Sequence, residues 1–228
     1  MITAIIKIQK WFRGCNARNK RLPLIMYKMQ KFLKTQMFQF STQNDDGRIN
    51  SCIDEAEVVK LLVAKFQVEV PKKREWYDIL VRDYTYGWIP VNVKTTTTKT
   101  SDNTGNLTMC VYAYTDERLD LRKSYNNGGM SKILCAKLKN KQYNRVAKKD
   151  YYFLVLNKTN ASDIIVNSVK GLTTLTPNVN NLPFQVCWDK NREFKYAYIS
   201  DKVKQFIECL QKPNPSWQET FMASIREL

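Results

Sequence analysis

Residues 75–98, EWYDILVRDYTYGWIPVNVKTTTT, constrain the fold of this chain more than any other segment. The run reads as two extended stretches, Trp76–Asp83 and Trp88–Thr96, rich in Trp, Tyr, Ile and Val and joined by a turn at Tyr84–Gly87. Successive side chains on a strand point to opposite faces. Ile89, Val91 and Val93 therefore share one face, while Asn92 and Lys94 share the other. An Asn and a Lys two residues apart on a core strand need a reason. An acidic side chain on the neighbouring strand, Asp78, supplies one, because the three together can hold a divalent cation and a water against a phosphate.

The charge balance points the same way. Lys and Arg number 37 against 21 Asp and Glu, a formal +16, which suits a polyanionic partner, either nucleic acid or an anionic membrane surface. The excess is concentrated in two acid-free blocks. Residues 1–44 carry Lys7, Lys10, Arg13, Arg18, Lys20, Arg21, Lys28, Lys31 and Lys34, and residues 121–149 carry nine more basic residues, Lys132 among them. The chain has no His. Ser-His-Asp and Cys-His nucleophilic sites are thereby excluded, as are nucleases with a His general base. Hydrolysis built from carboxylate, amide, Lys and a metal survives this filter.

At 228 residues and 43% hydrophobic content, one domain with a sizeable core plus an appendage is expected. No apolar run approaches the roughly 20 residues of a membrane span, so no membrane partner is expected. Met1–Ile8 is too brief for the apolar part of a signal peptide. The six cysteines (Cys15, Cys52, Cys110, Cys135, Cys187, Cys209) form no CxxC pair, which argues against zinc. They read as single buried thiols of an intracellular, reducing compartment, the cytoplasm or nucleus of a host cell.

Along the chain, Leu24–Met37 is a basic amphipathic stretch after Pro23, and Gln39–Ser51 is a polar, turn-rich linker. Ile53–Phe66 is a helix with Val58, Leu61, Leu62 and Phe66 at helical spacing and Glu55 and Glu57 in its first turn. After the two strands comes a polar stretch containing Lys99, suited to contacting phosphates. Leu107–Thr115 fits either helix or strand. Met130–Asn140 reads as a helix with Lys132 on its exposed side. Tyr151–Asn157 and Asp163–Val169 are buried strands by their continuous apolar character. Helices over Ser200–Gln211 and Ser216–Leu228 close the chain.

In Asp78, Asn92 and Lys94 the chain resembles the PD-(D/E)xK nuclease superfamily, and type II restriction endonucleases in particular. The family pattern is an Asp at a strand turn, then an acidic residue, one spacer and a Lys on the next strand. Asn92 departs from it, standing where the family has Asp or Glu. The element order also matches, so the resemblance implies an α/β fold with a restriction-endonuclease-like αβββαβ core, a mixed central sheet flanked by helices. On this reading residues 52–228 form the nuclease-like domain and residues 1–40 a basic helical extension.

The resemblance further implies a Mg²⁺ (or Mn²⁺) site made by Asp78, Asn92 and the Val93 carbonyl, with Lys94 holding the attacking water. The superfamily often adds a Glu from its first helix, for which Glu57 fits best and Glu55 next. The implied activity is sequence-specific cleavage of double-stranded DNA, with a homodimer as partner in cutting both strands. Asn180–Arg192 is the segment for base readout. Its Arg192 and Lys190 suit guanine edges, while Gln185 and Asn191 suit adenine edges. Three alternatives stay open: a structure-selective nuclease of the same superfamily, a non-catalytic DNA-binding or virion-associated protein in which Asn92 marks a decayed metal site, and a protein whose point is its N-terminal segment.

That segment, IIKIQKWFRGCNAR, follows the IQ pattern IQxxxRGxxxR through Ile8, Gln9, Arg13, Gly14 and Arg18. Ile5, Ile8, Trp11 and Phe12 recur at helical spacing among basic residues. The resemblance implies an amphipathic helix gripped by a calmodulin-like protein. Joined to a restriction-type nuclease, such an element would suit a large DNA virus of a eukaryotic host.

Overall fold

The computed structural model describes residues 21–41, 47–72, 75–178, 183–212 and 225–226. The IQ segment and most of the expected helix Ser216–Leu228 lie outside them. The described chain is α/β: a five-stranded mixed sheet flanked by helices, with a separate two-stranded ribbon.

The first helix, α1 (Leu24–Leu33), follows Pro23, whose φ of −54° suits a helix start. Its Met26, Met29 and Leu33, at helical spacing, are fully buried against the sheet. The described helix of the basic extension is thus part of the core, so a boundary at residue 40 does not set it apart. The next helix, α2 (Gly47–Lys65), begins six residues before Ile53 and takes in the end of the stretch expected to be a linker. Its extra turn is tied down. Asp54 accepts from the Ser41 amide at 2.8 Å, and the Ser51 hydroxyl donates to the Thr95 carbonyl at 3.4 Å. Lys158 reaches across to Ser51 at 2.9 Å and to Asp54 at 3.4 Å.

Strands β1 (Val68–Glu69), β2 (Ile79–Asp83) and β3 (Gly87–Thr96) form an antiparallel meander. The β2–β3 turn needs Gly87, whose φ of +77° lies in the left-handed region. Asp83 fixes the turn by accepting from the amides of Thr85 and Tyr86, and its other oxygen caps α1 at the Ile25 amide. A short strand, β4 (Ser101–Asn103), precedes α3 (Leu107–Tyr114) and α4 (Asn127–Lys139). The ambiguous stretch from Leu107 is a helix because the Asn106 side chain accepts from the Met109 amide at 2.8 Å, a local N-cap that a strand cannot use.

The chain then returns as β5 (Tyr152–Asn157), buried at every position and paired parallel to β3. Strand β6 (Asn160–Ser168) pairs antiparallel to it, giving the order β1-β2-β3-β5-β6. Strand β7 (Gln185–Cys187) pairs with β4 in the ribbon, and α5 (Ile199–Leu210) follows.

Two apolar layers sandwich the sheet. Ile79, Val81, Ile89, Val91, Val93 and Leu154 pack against Met26, Met29, Leu33, Val58 and Leu62 of α1 and α2. On the opposite face Leu80, Tyr151, Phe153, Val155 and Ile165 pack against α3, α4 and α5. The alternation read from the sequence is therefore the observed one, with Asn92 and Lys94 on the second face. Burying a side chain such as Val91 or Leu154 in these layers contributes about 1.5–3 kcal/mol each. Among the described cysteines, Cys110 and Cys209 are buried, Cys135 and Cys187 half-buried and Cys52 exposed, all as free thiols. The expectation of buried thiols thus fails at Cys52, which is exposed on α2 yet near enough to Lys94 to act on it electrostatically.

Candidate active site

The site grows from a mismatch in strand length. β2 begins at Ile79, opposite Val91, while β3 runs on to Thr96. Residues at 91, 93 and 95 turn their N–H and C=O groups toward the β2 side, and beyond Val91 no strand is there to meet them. Two carboxylates take over. Asp78, just before β2, accepts from the Val93 amide at 2.7 Å, and its own amide donates to the Val91 carbonyl. Glu55 of α2 accepts from the Thr95 amide at 3.1 Å. The Val93 carbonyl opens on the same edge as Asp78. Each carboxylate keeps one oxygen without a hydrogen-bond partner among the described residues.

Lys94 stands between these acids. Burial pulls its pKa down, but Glu55, Asp102 and Asp78 together more than offset this, so its ammonium is held charged above the ordinary range. It makes no ion pair within 4 Å among the described residues. Burial pushes Glu55 up to about 7 against the opposing pull of Lys94 and the Thr95 amide. Asp78 is raised as well, by burial first, with the Val93 amide and Lys94 pulling it back. Groups perturbed by burial together with specific charge partners make this cluster a candidate functional site.

Asn92 completes the cluster. Its amide hydrogen-bonds the Tyr151 hydroxyl, which itself donates to the Trp76 carbonyl at 2.8 Å. The Asn92 Oδ1, however, is buried with no hydrogen-bond partner. A buried orphan acceptor costs about 1–3 kcal/mol, so it needs an explanation. Among the described residues no group of three or more Asp, Glu, Cys or His side chains could hold a metal by itself. A cation at this edge would lean on Asp78, the amide oxygen of Asn92, backbone oxygen and water or phosphate. That donor set is all oxygen and fits a hard divalent cation.

The structure thus brings together Asp78, Asn92, Val93 and Lys94. It corrects the choice of glutamate: Glu57 is exposed on the far flank of α2, and Glu55 is the one that reaches the sheet. Asp102, missed from the sequence, also belongs here. It is fixed from β4 by the Trp188 indole at 3.3 Å and acts electrostatically on both Lys94 and Glu55. Its signal was being the one acid in an otherwise neutral or basic stretch after Lys94.

The expected readout segment fares differently. Asn191 is 1% exposed and its amide is fully spent on Thr173, Thr174 and Cys187, so it cannot read a base. Arg192 is bound by Asp163 and Asp189, which commits its guanidinium within the fold. Gln185 donates to Asn103 at 2.9 Å. Lys99, Lys132 and Lys190 are exposed and remain available to phosphates.

Comparison with known proteins adds one match. Residues 2–20 match the IQ calmodulin-binding motif, which covers Ile8, Gln9, Arg13, Gly14 and Arg18. No curated protein matches the chain at a significant level. No helix among the described residues is long and apolar enough to cross a membrane.

Proposed function

We propose that this chain is a Mg²⁺- or Mn²⁺-dependent deoxyribonuclease that cleaves double-stranded DNA in a sequence-specific, type II restriction-like manner. The observation that carries this is the convergence of Asp78, Glu55, Lys94 and the orphaned Asn92 oxygen on the unpaired edge of β3. The order helix, three strands, helices, parallel strand supports it, as does the formal charge of +16.

Asp78, the Asn92 Oδ1 and the Val93 carbonyl would hold the cation. When bound, it supplies Lewis acidity toward a phosphoryl oxygen and a more acidic water. Lys94 orients the attacking water and offsets charge that builds on the phosphate oxygens, an electrostatic role of the kind that often dominates such sites. Glu55, with a pKa of about 7, is poised to take or share a proton from that water near neutral pH. The amides of Val93 and Thr95 keep Asp78 and Glu55 aimed, so neither must be reordered when substrate arrives. Because Asn92 contributes no charge, the cation is held more weakly than by an Asp or Glu there. Cutting both strands of a symmetric site would call for a C2 homodimer.

The test is digestion of plasmid DNA by the purified chain with Mg²⁺, with EDTA, and with the Lys94→Ala variant. Discrete fragments that need both Mg²⁺ and Lys94 are the expected result. Cutting by the variant at the wild-type rate, or no cutting in any divalent metal, overturns the proposal.

The IQ match favours a second, compatible role: residues 2–20 bind a calmodulin-like protein. Capture on immobilised calmodulin, lost on joint substitution of Ile8 and Arg13 by Ala, is the expected result. Equal capture of both forms removes this reading.

A further inference from the structure

Three segments meet around a cavity of about 370 Å³ that shares no lining residue with the β3 edge, and the fold pins each of them. The first is the loop of residues 143–147 ahead of β5. Buried Asn144 holds it, with its amide donating to the Tyr112, Ala113 and Lys149 carbonyls and its oxygen accepting from the Val146 amide at 3.0 Å. The second is Lys170, in the short 3₁₀ turn Val169–Gly171 after β6, whose amide donates to buried Asp150 at 3.3 Å. The third is the run of residues 196–200 leading into α5. Just before it, the Lys195 amide donates to the Gly171 carbonyl at 3.3 Å. That approach requires Gly171, where a Cβ would overlap the Phe194 ring at 2.3 Å.

Lys170 gives the cavity its charge. Burial pulls its pKa down to about 8, with Asp150 opposing, so it remains charged at neutral pH. Its ammonium donates to the Val146 carbonyl at 3.0 Å and makes no ion pair within 4 Å among the described residues. An ammonium has three donors, so two are left for a ligand. Arg145 is exposed on the same wall and, unlike Arg122 and Arg192, also makes no ion pair within 4 Å among the described residues. Glu193 and Asp201 are close in sequence and oppose an anion, but neither lines the cavity.

Tyr196 and Tyr198 supply a flat wall. They are 42% and 67% exposed, with ring centroids 6.0 Å apart and planes at 70°. Rings set nearly perpendicular leave each other at least one face uncovered. Exposed aromatic faces beside cations are the means by which proteins hold unpaired bases and their phosphates.

We infer that this cavity binds one unpaired nucleotide of a nucleic-acid strand, with its phosphate on Lys170 and Arg145 and its base stacked on the Tyr198 ring. The nucleotide must be unpaired because a base inside a duplex has both faces covered by its neighbours. Charge complementarity favours a strand over a neutral aromatic ligand, since Arg145 belongs to the acid-free block of residues 121–149 on a chain of formal charge +16. The inference does not depend on the β3 edge being a nuclease.

The test is fluorescence anisotropy of a labelled 15-base oligothymidylate with the full chain in EDTA. Tyr198→Ala should weaken binding at least about fivefold, the low end of what one stacked base contributes, while Tyr198→Phe should keep wild-type affinity. Tyr198 is exposed, so neither change disturbs the core. Lys170→Met should also weaken binding and reduce the slope of log K against log salt by about 0.7, the value for one phosphate contact on a single strand.

No binding of the oligonucleotide, or unchanged affinity in Tyr198→Ala, overturns the inference. An equal loss in Tyr198→Phe overturns stacking. A blunt 15-base-pair duplex weakened as much by Tyr198→Ala overturns the assignment to an unpaired base. Displacement of the oligonucleotide by micromolar thymidine monophosphate overturns the strand in favour of a free nucleotide. Failure of the nuclease reading is seen elsewhere, as absence of Lys94-dependent cutting with Mg²⁺, and leaves these titrations unaffected.

Discussion

Asn191 and Asn92 both hold an amide oxygen away from solvent, and their surroundings could hardly differ more. Asn191 gives and receives hydrogen bonds in every direction, holding Thr173, Thr174 and the Cys187 carbonyl together. Asn92 spends its amide on Tyr151 and leaves its oxygen unmet. The first is saturated by its own fold and has nothing left for a ligand. The second is held in place by the fold but left incomplete. A buried polar residue is a sign of function only when something about it is unsatisfied.

Four substitutions sharpen or break this contrast. The largest stability effect belongs to Asn191→Ala, which strands the amides of Thr173 and Thr174. It should cost about 2–4 kcal/mol in urea unfolding without altering any cleavage activity. A loss under about 1 kcal/mol would mean that the network is not what holds this loop.

Next comes Glu55→Gln in EDTA. The folded pKa of about 7 lies above the ordinary carboxylate value, so Glu55 contributes stability below about pH 4.5 that is lost as pH rises through 7. The variant should therefore gain on the wild type between pH 5 and 8, by about 1–3 kcal/mol at most. Parallel stability curves for the two forms would contradict the assignment.

A smaller effect is expected at Asn92 itself. Asn92→Asp should change stability by no more than about 1 kcal/mol when saturated with Mg²⁺ and should lower the Mg²⁺ midpoint for cleavage several-fold. An unchanged midpoint would separate Asn92 from the cation. The smallest effect is Arg192→Ala, whose exposed ion pairs with Asp163 and Asp189 should be worth under about 1 kcal/mol by thermal unfolding. A large loss of DNA affinity instead would restore Arg192 as a recognition residue.

The hairpin and its two faces were legible because a period-2 pattern over Trp88–Thr96 admits one assignment, and Asp78 and Lys94 are close in sequence. Glu55 was not separable from Glu57 in the same way. Both lie in the middle of a helix whose buried stripe is Asp54, Val58 and Leu62, on opposite flanks of that stripe. Which flank meets the sheet is a tertiary fact. In retrospect Ser51 and Glu55 are one turn apart and both reach Thr95.

The readout segment misled because its side chains are polar and basic, and sequence cannot tell a guanidinium awaiting DNA from one already claimed by Asp163. Asp102 depends on β4 returning close to Lys94 and Glu55, which no local pattern announces. The expected helix from Met130 did form, starting three residues earlier at Asn127 because Asn126 caps it.

The crowding of Glu55, Asp78 and Asp102 around one ammonium has a kinetic consequence. With all four groups ionised, the β3 edge carries two excess negative charges on a chain of formal charge +16. If this edge is the nuclease site proposed above, DNA would be drawn in at long range. Over the last few ångströms, the scissile phosphate would be turned away. Divalent cations would then set the order of events as well as the chemistry: a duplex can land first, but its reacting bond is admitted to the edge only after a cation has neutralised it, so residence time before metal arrival is time available to search for a site.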